Sequence, residues 1–130
     1  MPKEAKNLRI LVVDDQKSMR LLIRSTLTAL GCVHIAECGD GRDAIAHIAN
    51  HQVDLIISDL TMPNTDGFGL LRAVRARECT AKTPFIMLTS HSDLAMVKDA
   101  VALGVNNYIL KPFNLGTVKS KIEALLGPLA

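Results

Sequence analysis

The sequence predicts an α/β domain in which a five-stranded parallel sheet is covered by helices on both faces. Three observations lead there. Short apolar runs rich in β-branched residues alternate strictly with segments whose apolar residues recur every three or four positions. The joins are only a few residues long, as in sheets whose parallel strands are linked by helical crossovers. Finally, the chain has 130 residues and is 48% apolar, a size at which one core buries about two-thirds of the unfolded surface without disulfides or a structural metal.

Taken in order, residues 8–13 form the first run, apolar enough for a strand covered on both faces. Met19, Leu22, Ile23, Leu27 and Leu30 then give one helical face, with Gly31 where a left-handed C′ residue would end the helix. Residues 33–37 are shorter and more polar, which suits a strand near an edge. Asp40 is placed to cap a second helix through Ala49, and residues 53–57 make the third strand. Asp66 caps a helix through Arg77, and residues 85–88 make the fourth strand. Asp93 opens a helix carrying Leu94, Val97 and Val101 up to Gly104, and residues 107–110 make a second edge-like strand. A last helix starts at Asn114, presents Leu115, Val118, Ile122, Leu125 and Leu126, and stops at Gly127-Pro128. Right-handed crossovers allow few arrangements of five such units, and the flavodoxin-like (βα)5 order 2-1-3-4-5 is the expected one, with residues 1–130 forming a single domain.

Composition narrows the function classes. Fifteen basic and thirteen acidic residues leave a formal charge of +2, and the aromatic residues are Phe68, Phe85, Phe113 and Tyr108 alone, too few for a nucleic-acid stacking platform. Residues 1–7 lack the apolar stretch of a signal peptide, and no run approaches the roughly twenty apolar residues of a membrane span, so a cytoplasmic protein is expected. Cys32, Cys38 and Cys79 are an odd number without a C-x-x-C pair, which predicts free thiols in a reducing compartment. His34, His47, His51 and His91 are dispersed and are read as surface residues, not ligands.

Ligands of open α/β sheets bind beyond the carboxyl ends of the strands, near the point where the winding reverses. The residues expected there are Asp14-Asp15, Asp59, Thr89-Ser90 and Lys111-Pro112. Three carboxylates brought within about 4 Å of one another repel by several kcal/mol per pair at an effective dielectric near 20. A divalent cation relieves that repulsion, and oxygen-only ligands suit Mg²⁺. A metal and a lysine around one carboxylate form an arrangement for phosphoryl transfer with Asp as nucleophile.

Four motifs at these strand ends, Val12-Val13-Asp14-Asp15, Ser58-Asp59-Leu60-Thr61-Met62-Pro63-Asn64-Thr65-Asp66-Gly67, Leu88-Thr89-Ser90 and Leu110-Lys111-Pro112-Phe113, resemble those of receiver domains of two-component response regulators. The resemblance covers nearly the whole chain. Ser18-Met19-Arg20, Met62-Pro63-Asn64 and Tyr108 make it most similar to the stand-alone chemotaxis regulators of that family. It implies that Asp59 accepts a phosphoryl group from a histidine kinase, that Asp15 and the Thr61 carbonyl ligate Mg²⁺ with Asp59, and that Asp14 holds the ion through water. It further implies that Lys111 binds a phosphoryl oxygen, that Thr89 and Tyr108 rearrange together as a switch, and that a cis bond precedes Pro112. Lys121 falls where these regulators present a lysine to a target. The family's chemotaxis members carry Asn and Glu where this chain has Thr61 and His91, so different side chains here would set the lifetime of the phosphate.

The implied protein is a monomer that catalyses only its own phosphorylation and dephosphorylation and signals to a protein target, with the flagellar motor switch as the first expectation. A phosphorelay intermediate or phosphate sink is the alternative within the family. Four residues follow Leu126, so no output domain is expected. Two readings of other classes share the fold. An FMN binder needs backbone donors for phosphate after the first strand, where this chain has two acids. A dehalogenase-like phosphatase needs a second acid two residues after its nucleophile, where this chain has Thr61.

Overall fold

A computed structural model describes residues 4–60, 62, 66–90 and 95–129. Expectations for Thr61, Pro63, Asn64, Thr65, His91, Asp93 and Leu94 lie outside the described residues. Five strands, β1 (Arg9–Val13), β2 (His34–Cys38), β3 (Leu55–Asp59), β4 (Phe85–Thr89) and β5 (Asn107–Leu110), form one sheet in the order β2-β1-β3-β4-β5. All four pairings are parallel, as expected. The helices are α1 (Lys17–Ala29), α2 (Gly41–Asn50), α3 (Gly67–Ala76), α4 (Val97–Ala102) and α5 (Leu115–Leu126). Two single 3₁₀ turns, Ala5–Asn7 and Glu78–Thr80, were not foreseen.

Period-two alternation along the strands divides the core into two layers. Ile10, Val12, Leu55, Ile57, Ile86 and Leu88 point to one face, where Ile23 and Leu27 of α1 and Val118 and Ile122 of α5 cover them. Leu11, Val13, Ile56, Phe85 and Met87 point to the other, under Ala44 and Ile48 of α2, Leu70, Leu71 and Val74 of α3 and Ala100 of α4. Each of these larger side chains, fully buried, contributes about 1.5–3 kcal/mol by leaving water. β4 is buried along its whole length, whereas the edge strands β2 and β5 are half-buried.

Three predicted caps form. The side chains of Asp40, Asp66 and Asn114 accept from the backbone N–H of Asp43, Gly69 and Thr117 at 2.8, 2.9 and 2.8 Å, each worth about 1 kcal/mol. Gly31 has φ +97° just beyond α1, a conformation that would strain any side chain. The expected helix faces need correction at three residues. Leu22 is 50% exposed, because the inward stripe of α1 runs through its neighbour Ile23 and Leu27, and a helix turns about 100° per residue. Val101 and Leu115 are also exposed; α4 turns Val97 and Ala100 inward, and Leu115 is the first residue of α5.

Arg75 of α3 was not foreseen as a fixed point. Its guanidinium donates to the Gly104 carbonyl at 3.0 and 2.9 Å, to the Thr83 carbonyl at 2.7 Å and to Asn106 Oδ1 at 2.8 Å. It thereby ties α3 to the segments entering β4 and β5.

The three cysteines are free. Cys32 is buried and Cys79 exposed, while burial, reinforced by Asp43 and Asp40, pushes the Cys38 thiol up to about 11. At pH 8 only about one thousandth of such a thiol is thiolate. Maleimide labelling of the native protein should therefore modify Cys79 first, with Cys32 and Cys38 reacting on unfolding; rapid labelling of Cys38 would contradict this.

Candidate functional site: an acidic crevice at the strand carboxyl ends

The winding reverses beside β1, whose neighbours are β2 on one side and β3 on the other. Chain continuation past β1 places Asp14 and Asp15 there, β3 ends in Asp59, β4 ends in Thr89, and Lys111 follows β5. One carboxylate oxygen from each of Asp14, Asp15 and Asp59 lies within 4.8 Å of the others, and this is the single such group among the described residues. Lys111 reaches in from the far side, its Nζ 3.0 Å from Asp59 Oδ1 and 3.5 Å from Asp14 Oδ2. The peptide bond between Lys111 and Pro112 is cis, as the resemblance implied.

The three acids sit in different surroundings. Asp15 is exposed and Asp14 has no exposed surface, with Asp59 between these extremes. The Gln16 N–H donates to Asp14 Oδ1 at 2.9 Å, but Asp14 Oδ2 is buried without a hydrogen bond and has only the 3.5 Å contact with Lys111. Burial pushes the Asp14 carboxyl above its usual range; Asp59 and Asp15 push it the same way, against the Gln16 N–H and Lys111. Asp59 Oδ1 takes both the Lys111 ammonium and the Leu60 N–H, at 3.0 and 2.9 Å, which fixes the orientation of the carboxylate.

Such an arrangement suits a hard divalent cation. Three carboxylates and one ammonium leave two negative charges unbalanced, and two carboxylates 4.8 Å apart repel by about 3 kcal/mol at an effective dielectric of 20. The donors are all oxygen, and the buried, hydrogen-bond-deficient Asp14 Oδ2 is the kind of acceptor an ion or its water satisfies. Asp14, Asp15 and Asp59 therefore fit Mg²⁺; the fourth expected ligand, the Thr61 carbonyl, lies outside the described residues.

A stability prediction follows from the raised Asp14 carboxyl. Its folded pKa exceeds its unfolded one, so ionised Asp14 weakens the fold near pH 7, and the penalty fades as falling pH protonates it. In EDTA at pH 7, Asp14→Asn should raise the melting temperature by about 3–8 °C, equivalent to about 1–2 kcal/mol. Saturating Mg²⁺ should reverse the order by stabilising only the wild type. A variant that melts below wild type in EDTA would contradict this account.

Thr89 is 1% exposed, and its hydroxyl donates to the Ser90 carbonyl at 3.3 Å. Tyr108 pairs in register with Met87, so its side chain shares a sheet face with Met87 and Thr89. Its half-buried ring lies under Lys121, whose Nζ is 5.2 Å from the ring centroid and donates to Asn107 Oδ1 at 3.1 Å. The structure thus gathers Asp14, Asp15, Asp59 and Lys111 at one point, with Thr89 at the adjacent strand end and Tyr108 further back along β5.

Two residues of the crevice carried no such role in the sequence reading. Arg20 donates to the Asp14 carbonyl at 2.6 Å while pairing with Glu37 at 3.3 Å, anchoring the turn that carries the acids. Gly67 donates its N–H to the Leu60 carbonyl at 2.9 Å, and a Cβ there would lie 2.5 Å from the Asp59 carbonyl oxygen. Arg20 was at least signalled by the Ser18-Met19-Arg20 motif. For Gly67 the only signal was a glycine in the loop after Asp59.

The response regulator receiver domain model matches residues 10–123, and the chain belongs to that family of signalling domains. Among its relatives it is similar to a probable chemotaxis protein CheY of Rhizobium etli, with 42% identity covering 96% of this chain and 97% of the relative. Chemotaxis protein CheY of Pseudomonas aeruginosa is 37% identical, covering 91% and 95% of the two chains. Among solved structures, chemotaxis protein CheY4 of Vibrio cholerae superposes with a TM-score of 0.85 at 33% identity, covering 92% of this chain and 98% of that one. The receiver domain of a Pseudomonas aeruginosa sensor histidine kinase, which has a magnesium ion coordinated in its active site cleft, superposes with a TM-score of 0.84 at 27% identity over 92% and 98% of the two chains. Among the described residues no helix is long and apolar enough to cross a membrane.

Proposed function

We propose that this chain is a CheY-like response regulator that accepts a phosphoryl group on Asp59 from a CheA-like histidine kinase and signals through the surface of α4, β5 and α5. The observation that carries the reading is the cluster of Asp14, Asp15 and Asp59 around a point that Lys111 reaches at 3.0 Å from Asp59. Asp59 Oδ1 is engaged by the Leu60 N–H and by Lys111, which leaves Oδ2 as the attacking oxygen. A new P–O bond forms to Asp59 while the bond from phosphorus to the donor imidazole nitrogen breaks, and the imidazole keeps the electron pair. Lys111 then holds a phosphoryl oxygen. Asp15, Asp59 and the Thr61 carbonyl would hold Mg²⁺, with Asp14 holding it through water, and the ion would neutralise charge on the transferring group.

The same geometry supports a switch. The phosphoryl group adds up to two negative charges and three acceptor oxygens beside β4. The Thr89 hydroxyl exchanges its long, 3.3 Å bond to Ser90 for a phosphoryl oxygen. Tyr108 leaves Lys121 and moves into the space vacated, so that Lys121 and the exposed Val101 and Leu115 change what they present. Two conformations within a few kcal/mol suffice for such a population shift. The target is a protein, with the flagellar motor switch the first to test; partner capture with and without beryllofluoride separates a motor regulator from a phosphate sink, which needs no target that prefers the modified form.

Incubation with Mg²⁺ and acetyl phosphate tests the chemistry. The expected product is a base-labile acyl phosphate that mass spectrometry places on Asp59. An acid-stable phosphate ester, or a bound yellow chromophore without phosphate uptake, would overturn the reading.

A further inference from the structure

On the edge strand β5, one side-chain oxygen holds two groups at once. Asn107 begins the strand, and its Oδ1 accepts from the Tyr108 N–H at 2.9 Å and from Lys121 Nζ at 3.1 Å. The lysine comes from the other face of the sheet. Val118 and Ile122 of α5 pack in the layer that holds Ile109, whereas Tyr108 packs against the opposite layer. Lys121 therefore reaches around the outer edge of β5 to bring its ammonium 5.2 Å from the Tyr108 ring centroid. Fixing a lysine side chain costs as much conformational entropy as fixing any residue's. A cation over a half-buried ring returns too little to hold the chain there alone, so the bond to Asn107 is what keeps the ammonium in place.

We infer that Asn107 is a positioning residue of the switch: by fixing Lys121 over Tyr108 it holds the ring where it stands and withholds the ammonium from a target until the ring moves. The inference rests on the proposed movement of Tyr108 and names what opposes it. When the ring leaves, the ammonium loses its aromatic face, and one neutral oxygen no longer outweighs the entropy of the lysine chain. Departure of Tyr108 and release of Lys121 are thereby one event. The three-way contact exists only with the ring in its present position, so its strength sets the fraction of molecules in the switched state before any phosphoryl group arrives. Removing the carboxamide raises that fraction. A carboxylate in its place lowers it, because a charge-assisted bond to Lys121 replaces a neutral one while the Tyr108 N–H keeps its acceptor.

The chain contains one tyrosine and no tryptophan, so its intrinsic fluorescence reports Tyr108 alone. Titration with beryllofluoride in saturating Mg²⁺, read by that emission, tests the inference. Relative to wild type, Asn107→Ala should reach half-saturation at about three- to tenfold less beryllofluoride, and Asn107→Asp should need more. In a Lys121→Met background, which keeps the apolar stem but not the ammonium, neither substitution should move the midpoint. Opposite signs distinguish this role from a merely structural one, which both substitutions would disturb alike. Asn107 is half-buried on an edge strand, so the variants should keep the wild-type circular dichroism. Equal midpoints, shifts of one sign in both variants, or shifts that persist without the ammonium would overturn the inference. So would a wild-type titration without a tyrosine signal on protein that still forms acyl phosphate on Asp59, a result that leaves the phosphoryl-transfer reading intact. Absence of acyl phosphate from the wild type would instead strike that reading, and the inference with it.

Discussion

Asp59→Asn is expected to form no base-labile phosphate under conditions in which the wild-type chain is labelled by acetyl phosphate and Mg²⁺. The amide keeps the shape of the side chain and an oxygen to accept from the Leu60 N–H and from Lys111, at 2.9 and 3.0 Å in the wild type. It loses the negative charge and the nucleophilic oxygen. Chemistry and fold are thereby separated. Because the substitution also removes one of three mutually repelling charges, the variant should melt at or above the wild-type temperature in EDTA. Undiminished acyl phosphate on a folded Asp59→Asn protein would refute Asp59 as the acceptor.

Gly67→Ala is the second large effect, and here the fold suffers. A methyl group at this position would stand 2.5 Å from the Asp59 carbonyl oxygen, 2.9 Å from Met87 Sδ and 3.0 Å from Leu60 Cα. The methionine can turn aside, but the two backbone atoms cannot. The start of α3 must therefore lift away from the end of β3, breaking the 2.9 Å bond from the Gly67 N–H to the Leu60 carbonyl. Overpacking of this kind costs about 2–3 kcal/mol, or about 10 °C in melting temperature for a chain of this size. Since Asp59 is at the point of contact, acyl phosphate formation should fall along with stability. A variant melting within about 2 °C of wild type would show that α3 can shift without strain.

Much of this molecule was readable from its sequence because period and position determine it. Alternating runs specify which strand residues face which helix layer, and the residue that ends a central run must emerge at the carboxyl edge. Asp14, Asp59, Thr89 and Lys111 can for that reason be located from the sequence alone. Adjacent apolar residues were harder: Leu22 and Ile23 read alike, yet one is half exposed and the other 2% exposed. Close approach in space was not readable at all. Nothing local distinguishes Arg75, which clamps Gly104, Thr83 and Asn106, from an ordinary helix-surface arginine. Gly67 looked like a turn glycine, whereas its lack of a side chain is what lets α3 start against Asp59.

The central claim is that the crowded carboxylates are held together for a divalent cation, so direct calorimetric titration with Mg²⁺ tests it most closely. One Mg²⁺ per wild-type chain is predicted, with binding sharply weakened in Asp14→Asn. A wild-type titration that shows no saturable uptake would contradict the account.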